Sequence, residues 1–321
     1  MKKIKNYFKN YWVYFAAFLI PFLIMFIVYL SQGIYWNSDT SPLLGDGFHQ
    51  YVIFDTTLRN ILHGSDSLFY TFTSGLGLNF YALTSYYLGS FLSPFVYFFN
   101  LENMPDAVYL FTLIKFGLIG LTAAISLKGI FKKIPNFLIL MLSTCYSLMS
   151  FATSQIEIKT WLDVFIIAPL ILYGLHLLLL KKDRVLYFTS LSILFIQNYY
   201  FGFMMAIFLV LYFLMNLSRQ SSWREVVTSL TNFTVMSILS GLTSAIMLLP
   251  SYLDLSTHGE KFSTFDTLVT DKAWTFDLFA KNFVGAYDTT KFGATPMIYV
   301  GLLPLVLALV FFTLKEIKWR G

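Results

Sequence analysis

Phe80-Tyr81-Ala82-Leu83-Thr84-Ser85-Tyr86-Tyr87-Leu88-Gly89-Ser90-Phe91-Leu92-Ser93-Pro94-Phe95-Val96-Tyr97-Phe98-Phe99-Asn100, followed by Leu101-Glu102-Asn103-Met104-Pro105-Asp106, sets how the rest of the chain threads. The run is nearly apolar enough to read as a membrane crossing, yet Gly89 and Pro94 interrupt it and its flank is acidic. Both features fit an interfacial or re-entrant element better than a crossing, because irregular backbone in hydrocarbon persists only where protein or water satisfies it. Everything C-terminal to the run changes side with this choice.

On either side of it, apolar spans fall near 11–30, 107–127, 135–153, 163–180, 185–198, 199–217, 226–249 and 296–314. A helix needs about 20 apolar residues to cross a ~30 Å hydrocarbon core. If 80–100 does not cross, fifteen basic residues lie on the cytoplasmic side against six outside, and acidic residues divide three to fourteen the other way. If it crosses, nine basic residues remain inside against twelve outside. The positive-inside rule favours the first arrangement. The expectation is an all-α polytopic membrane protein of about eight spans with both termini cytoplasmic. Residues 1–321 form one transmembrane domain with two large outside loops, 32–106 and 250–295. The pair 185–217 stays open: two short helices, or one span broken at Asn198-Tyr199-Tyr200-Phe201-Gly202, which puts every later segment on the opposite side.

Composition agrees. The 321 residues are 57% apolar and 12% charged, about half the charged share of a soluble domain. The formal charge of +5 therefore reports loop placement rather than nucleic acid. Cys145, the single cysteine, forms no intrachain disulfide and no cysteine metal site. Lys2, Lys3, Lys5 and Lys9 precede the first span as they would in a signal peptide. The apolar run is too long for one, and the exit Ser31-Gln32-Gly33 lacks a cleavage pattern, so an uncleaved first helix with a cytoplasmic basic end is expected.

The first outside loop carries the densest chemistry. Phe48, Tyr51, Val52, Leu58, Ile61 and Leu62 recur at helical spacing, with Asp55 and Arg59 as an i,i+4 pair, predicting an amphipathic helix on the membrane surface. Asp46 falls at its N-terminus, where capping is the plain reading. The short turn Ser154 to Asp163 brings Glu157, Lys159, Trp161 and Asp163 to the interface. It reads either as an ordinary interfacial belt or as a polar cluster facing the Asp46 loop. Lys115 lies inside an apolar span, so it either snorkels or faces a polar partner. Asn198, Tyr199 and Tyr200 either line the same cavity or make a tight turn. The 251–295 loop, with His258, Glu260, Asp266 and Lys291 among its charged groups, reads as a solvated outer cap. The four histidines show no zinc spacing, and no P-loop, nucleotide fingerprint or hydrolase elbow is present.

The order Asp46-x-x-x-Gln50-Tyr51, Gly64, Phe69-Tyr70, Gly75-Leu76-Gly77-x-Asn79, Tyr86-Tyr87 and Pro94 resembles the N-terminal signature of the YfhO family of bacterial membrane proteins. Trp161-Leu162-Asp163, Pro169-Leu170, Asn198-Tyr199-Tyr200-Phe201-Gly202, Leu248-Leu249-Pro250 and Pro296-x-Ile298-Tyr299-x-Gly301-Leu302-Leu303 extend the likeness over nearly the whole chain. The resemblance implies a GT-C-like helical bundle in the bacterial cytoplasmic membrane with its site on the outer face. It implies transfer of a sugar, N-acetylglucosamine on undecaprenyl phosphate, to a cell-wall polymer such as lipoteichoic acid. By the same likeness Asp46 is the catalytic base. Gln50, Tyr51, Trp161, Asp163, Asn198 and Tyr200 are expected to bind substrate, and Arg59, Lys115 and Lys159 to offset phosphate charge. Some GT-C enzymes use a divalent cation, but no ligand set for one is visible. Family members are usually longer, so the chain looks like the N-terminal membrane core or a short paralogue. A flippase for a lipid-linked sugar and a non-catalytic scaffold remain as alternative functions. A flippase places its essential polar residues near the bilayer midplane, whereas here they concentrate in outside loops.

Overall fold

The computed structural model describes residues 2–180, 183–217, 222–258, 280–283 and 298–314. Most of the second large loop, Lys181, Lys182, Arg219 and the basic C-terminal residues thus lie outside the described residues. Twelve α-helices are described: α1 (Lys2–Ser31), α2 (Val52–Leu62), α3 (Phe80–Leu83), α4 (Met104–Ile130), α5 (Asn136–Ser147), α6 (Ser150–Ser154), α7 (Lys159–Leu179), α8 (Val185–Gln197), α9 (Tyr199–Leu217), α10 (Trp223–Thr243), α11 (Ala245–His258) and α12 (Leu302–Thr313). Among the described residues the only β pairing is one isolated antiparallel bridge, Thr71 to Leu78.

Among the described residues six helical segments are long and apolar enough to cross a membrane: 11–31, 104–130, 136–154, 159–179, 199–217 and 223–243. The remaining two expected spans form shorter apolar helices, α8 and α12, of 13 and 12 residues. At 1.5 Å per residue each is about 20 Å long, short of the ~30 Å core. The 80–100 run contains no long helix. It breaks into α3, a single turn of π-helix at Thr84–Leu88 and a 3₁₀ segment at Ser93–Phe98. Pro94 at the start of the 3₁₀ segment has no N–H to extend a helix through it.

Helix α4 is the axis of the bundle, packing against α1, α5 and α7, and α7 in turn packs against α8. Lipid tails are as apolar as leucine, so close packing rather than water exclusion must join these helices. The α1–α4 contact shows how: Gly120 lies against the backbone carbonyl of Ala17, where any Cβ would collide, and Gly117 makes room for the ring of Phe18. The main core runs from Met25 and Tyr29 of α1 through Phe116 and Ile119 of α4 to Ile167 and Ile171 of α7 and Leu191 and Leu194 of α8. Outward faces stay apolar, as at Phe203, Ile207 and Leu211 of α9 and Phe312 of α12, the pattern of a lipid-facing surface.

The 185–217 pair is an antiparallel hairpin. Tyr187 near the start of α8 and Phe213 near the end of α9 both meet Phe233 of α10, with ring centroids 5.9 and 4.1 Å apart. At the opposite end Gly202 packs on Phe195. The chain reverses at Asn198, whose side-chain carbonyl accepts the Phe201 N–H at 2.9 Å.

Candidate functional site

The first loop folds back on the start of α7. A π-helical turn, Gly47–Tyr51, runs directly into α2. Such turns displace side chains from the α register and recur at functional sites. Asp46 enters this turn in helical conformation and makes no side-chain cap, contrary to the capping expectation. Its Oδ1 instead accepts from Gln50 Nε2 at 3.2 Å. Tyr51 points inward, almost fully buried, with its hydroxyl 3.2 Å from Thr160 Oγ1.

The same turn meets residues 155–158. Gly45, in the left-handed region at φ +46°, lies against the Glu157 carboxylate, which a Cβ there would push aside. Burial raises the Glu157 pKa, and the Asp46 charge raises it further. Tyr86 and Tyr87 are also shifted upward, first by burial and then by neighbours that include Asp46. The Tyr86 hydroxyl faces the Trp161 indole, and Trp161 stacks on Phe151 and meets Phe201 edge-on. Asp46 therefore sits where the first loop, the 155–158 turn and the tyrosine pair converge.

The ionic residues expected beside it form a separate interior network. Asp55 does not pair with Arg59. It is buried on α2 and forms an ion pair with Lys159, while Arg59 Nε donates to the Phe99 carbonyl. Lys115 Nζ donates to Asp163 Oδ2 at 2.6 Å and to the Lys159 carbonyl at 2.9 Å. Asp163 Oδ1 accepts from Ser90 at 2.7 Å. Two lysines and two aspartates neutralise one another, as burial of charge requires. The network fastens α2 and the 90-loop to α4 and α7.

Asp46, Gln50 and Tyr51 thus stand together, with Trp161 and Tyr200 joined to them through Tyr86, whose ring lies 6.4 Å from that of Tyr200. Asn198 is fully buried and caps α9. Lys115, Lys159 and Asp163 are interior, and Arg59 is committed to backbone. Sequence reasoning places Tyr199 and Tyr200 at a cavity but misses Tyr86 and Tyr87 as site residues. The signal for them is two Tyr-Tyr pairs, 86–87 and 199–200, each flanking a break in an apolar run.

Over residues 16–321 the chain matches the profile of the bacterial membrane protein YfhO. It belongs to the YfhO family. No curated protein and no solved structure matches the chain. The chain is thus a membrane protein of a family that is commonly glycosyltransferase-like. Among the described residues no group of three or more His, Cys, Asp or Glu side chains gathers in a way that would hold a metal ion. Asp46 and Glu157 offer two carboxylates, and among the described residues this donor set does not fit a divalent-cation site.

Proposed function

We propose that the chain is an inverting GT-C-type glycosyltransferase of the bacterial cytoplasmic membrane. It would move N-acetylglucosamine from undecaprenyl phosphate to a cell-wall polymer, with lipoteichoic acid as the acceptor. The observation that carries this reading is the Asp46 carboxylate, partly exposed at one end of the bundle and surrounded by Gln50, Tyr51, Tyr86 and Tyr87. A hydrogen-bonded carboxylate in that position is suited to take a proton from an acceptor hydroxyl. The hydroxyl oxygen then forms a bond to the anomeric carbon as the bond to the lipid phosphate breaks, and the phosphate leaves with the bonding pair. Gln50 Nε2 holds the carboxylate in place, and Tyr51, anchored to Thr160, fixes the turn beneath it.

A cleft of about 640 Å³ between α1, the first loop and α6 supports a lipid donor. Its wall is apolar at Ile24, Met25 and Val28 and becomes polar at Ser41, Ser154 and Glu157. An isoprenoid chain fits the first part. The transporter alternative needs uncommitted polar groups at mid-depth, whereas Lys115 and Asp163 are paired with each other.

The test is teichoic-acid glycan content, by NMR or mass spectrometry, in cells lacking the gene and complemented with wild type or Asp46→Asn at matched expression. Wild type is expected to restore the glycan. Asp46→Asn should lower transfer by about 10²–10⁴-fold, the range for loss of a general base. Equal rescue by both rejects Asp46 as the base.

A further inference from the structure

A cavity of about 380 Å³ lies beside the Asp46 turn. Four phenols line it, Tyr86 and Tyr87 from the π-helical turn after α3 and Tyr199 and Tyr200 from the start of α9. Its far wall is α11, which contributes Ser251, Asp254 and Leu255. Two long-range bonds hold that wall in place: Ser251 Oγ donates to the Ala82 carbonyl at 3.0 Å, and Tyr81 OH donates to the Ile246 carbonyl at 3.0 Å.

Among the described residues the lining has no lysine, arginine or histidine. A phosphate there would meet no cation among the described lining residues, while facing Asp254 and the nearby Asp46 charge. A long lipid chain would need a larger and less polar space, and 380 Å³ stands at the small end of ligand sites. The ligand that fits is small and uncharged, with both an apolar face and several hydroxyls. A pyranose ring has both. Its C–H face lies on aromatic rings while hydroxyls bond to phenols and a carboxylate. The rings are tilted against one another, Tyr86 at 41° to Tyr199 and 71° to Tyr200, so they present a stepped platform.

We infer that this tyrosine cavity is the subsite for the neutral sugar ring, with Tyr199 and Tyr200 as its platform and Asp254 as a hydroxyl acceptor on the opposite wall. The inference rests on the glycosyltransferase reading and adds to it where the sugar lies and why the phosphate lies elsewhere. Tyr86 and Tyr87 join the cavity to Asp46, so a sugar seated there presents itself to the proposed base.

The experiment is saturation-transfer NMR on the full chain in lipid nanodiscs, with methyl N-acetyl-β-glucosaminide as probe and glycerol phosphate as the anionic control. Wild type and Asp46→Asn are expected to transfer saturation to the glycoside and not to glycerol phosphate. Tyr200→Leu and Asp254→Asn should each reduce the glycoside signal at least threefold. Tyr200 is 43% exposed, so its truncation removes little packing, and Tyr200→Phe, which keeps the ring, should retain more signal than Tyr200→Leu. Absence of signal at millimolar glycoside overturns the cavity assignment, as do unchanged signals in both variants. Displacement by tetramethylammonium with no displacement by free sugar also overturns it, because the cavity is then an aromatic cage for cations. The two readings fail separately. Glycoside binding that depends on the cavity, in cells whose glycan does not depend on Asp46, rejects the transferase and keeps the subsite. The reverse result rejects the subsite and keeps the transferase.

Discussion

At Glu157 two effects act in the same direction. Burial and the Asp46 charge both raise its pKa above the ordinary carboxylate value, so the folded state holds the proton more tightly than the unfolded chain does. Its contribution to stability is therefore greatest below the ordinary carboxylate range and declines as pH rises through the raised folded value. Glu157→Gln is expected to flatten this dependence. The variant should melt higher than wild type at neutral pH, and the difference should vanish in acid, as read by thermal unfolding in detergent across that range. A constant offset at every pH would show that the carboxyl's ionisation is not responsible. Helical spacing correctly places a helix after Asp46 but misreads two side chains near it. Spacing pairs Asp55 with Arg59 because it sees only neighbours along the helix. The partner that wins, Lys159, is distant in sequence and buried with it, where the interaction is stronger. Capping is likewise a local inference for Asp46, and the π-helical turn brings Gln50 within reach instead.

Helix α2 is fastened to α7 through a buried ion pair. Its interior face is held by the Asp55–Lys159 ion pair, and Lys159 also lies 5.9 Å from the centre of the Tyr51 ring. Removing one partner of a buried pair leaves an uncompensated charge and costs about 3–5 kcal/mol, whereas replacing both with apolar groups is often neutral. Lys159→Met is expected to lower the melting temperature markedly and Asp55→Leu/Lys159→Met to recover most of it, as measured by thermal unfolding in detergent. If the double variant melts as low as the single, the pair is not what fastens α2. Among the elements, the apolar runs are legible in the sequence because length and hydropathy are properties of the segment alone. The break at Asn198 is visible too, but its sense is not, since a hairpin and a kink share one sequence signature. Only the meeting of Tyr187, Phe213 and Phe233 distinguishes them.

For the molecule as a whole, the two ends of the bundle are assembled from segments far apart in sequence. One end joins Asp46, Tyr86, Glu157, Tyr199 and Asp254. The other joins Tyr14, Lys128 and Asn136, with Gly174 against Tyr187. Charge counting along the chain assigns the first end to the outside and the second to the cytoplasm. In a chain with Cys145→Ala, Leu76→Cys should react with an impermeant thiol reagent from outside the cell. Lys132→Cys, Asp183→Cys and Ser222→Cys should react only after the cytoplasmic face is opened. All four positions are exposed. Labelling of Asp183→Cys and Ser222→Cys from opposite sides would contradict the hairpin, and reversal of all four would invert the orientation.

The interior charge network also sets an order of events during synthesis. Lys115 leaves the ribosome inside α4, 48 residues before its partner Asp163, and an unpaired lysine in hydrocarbon is costly. Helix α4 as an isolated span therefore carries that cost until α7 brings Asp163 beside Lys115. The pairing favours α4 and α7 settling together, so that the later helices assemble around an already neutral centre.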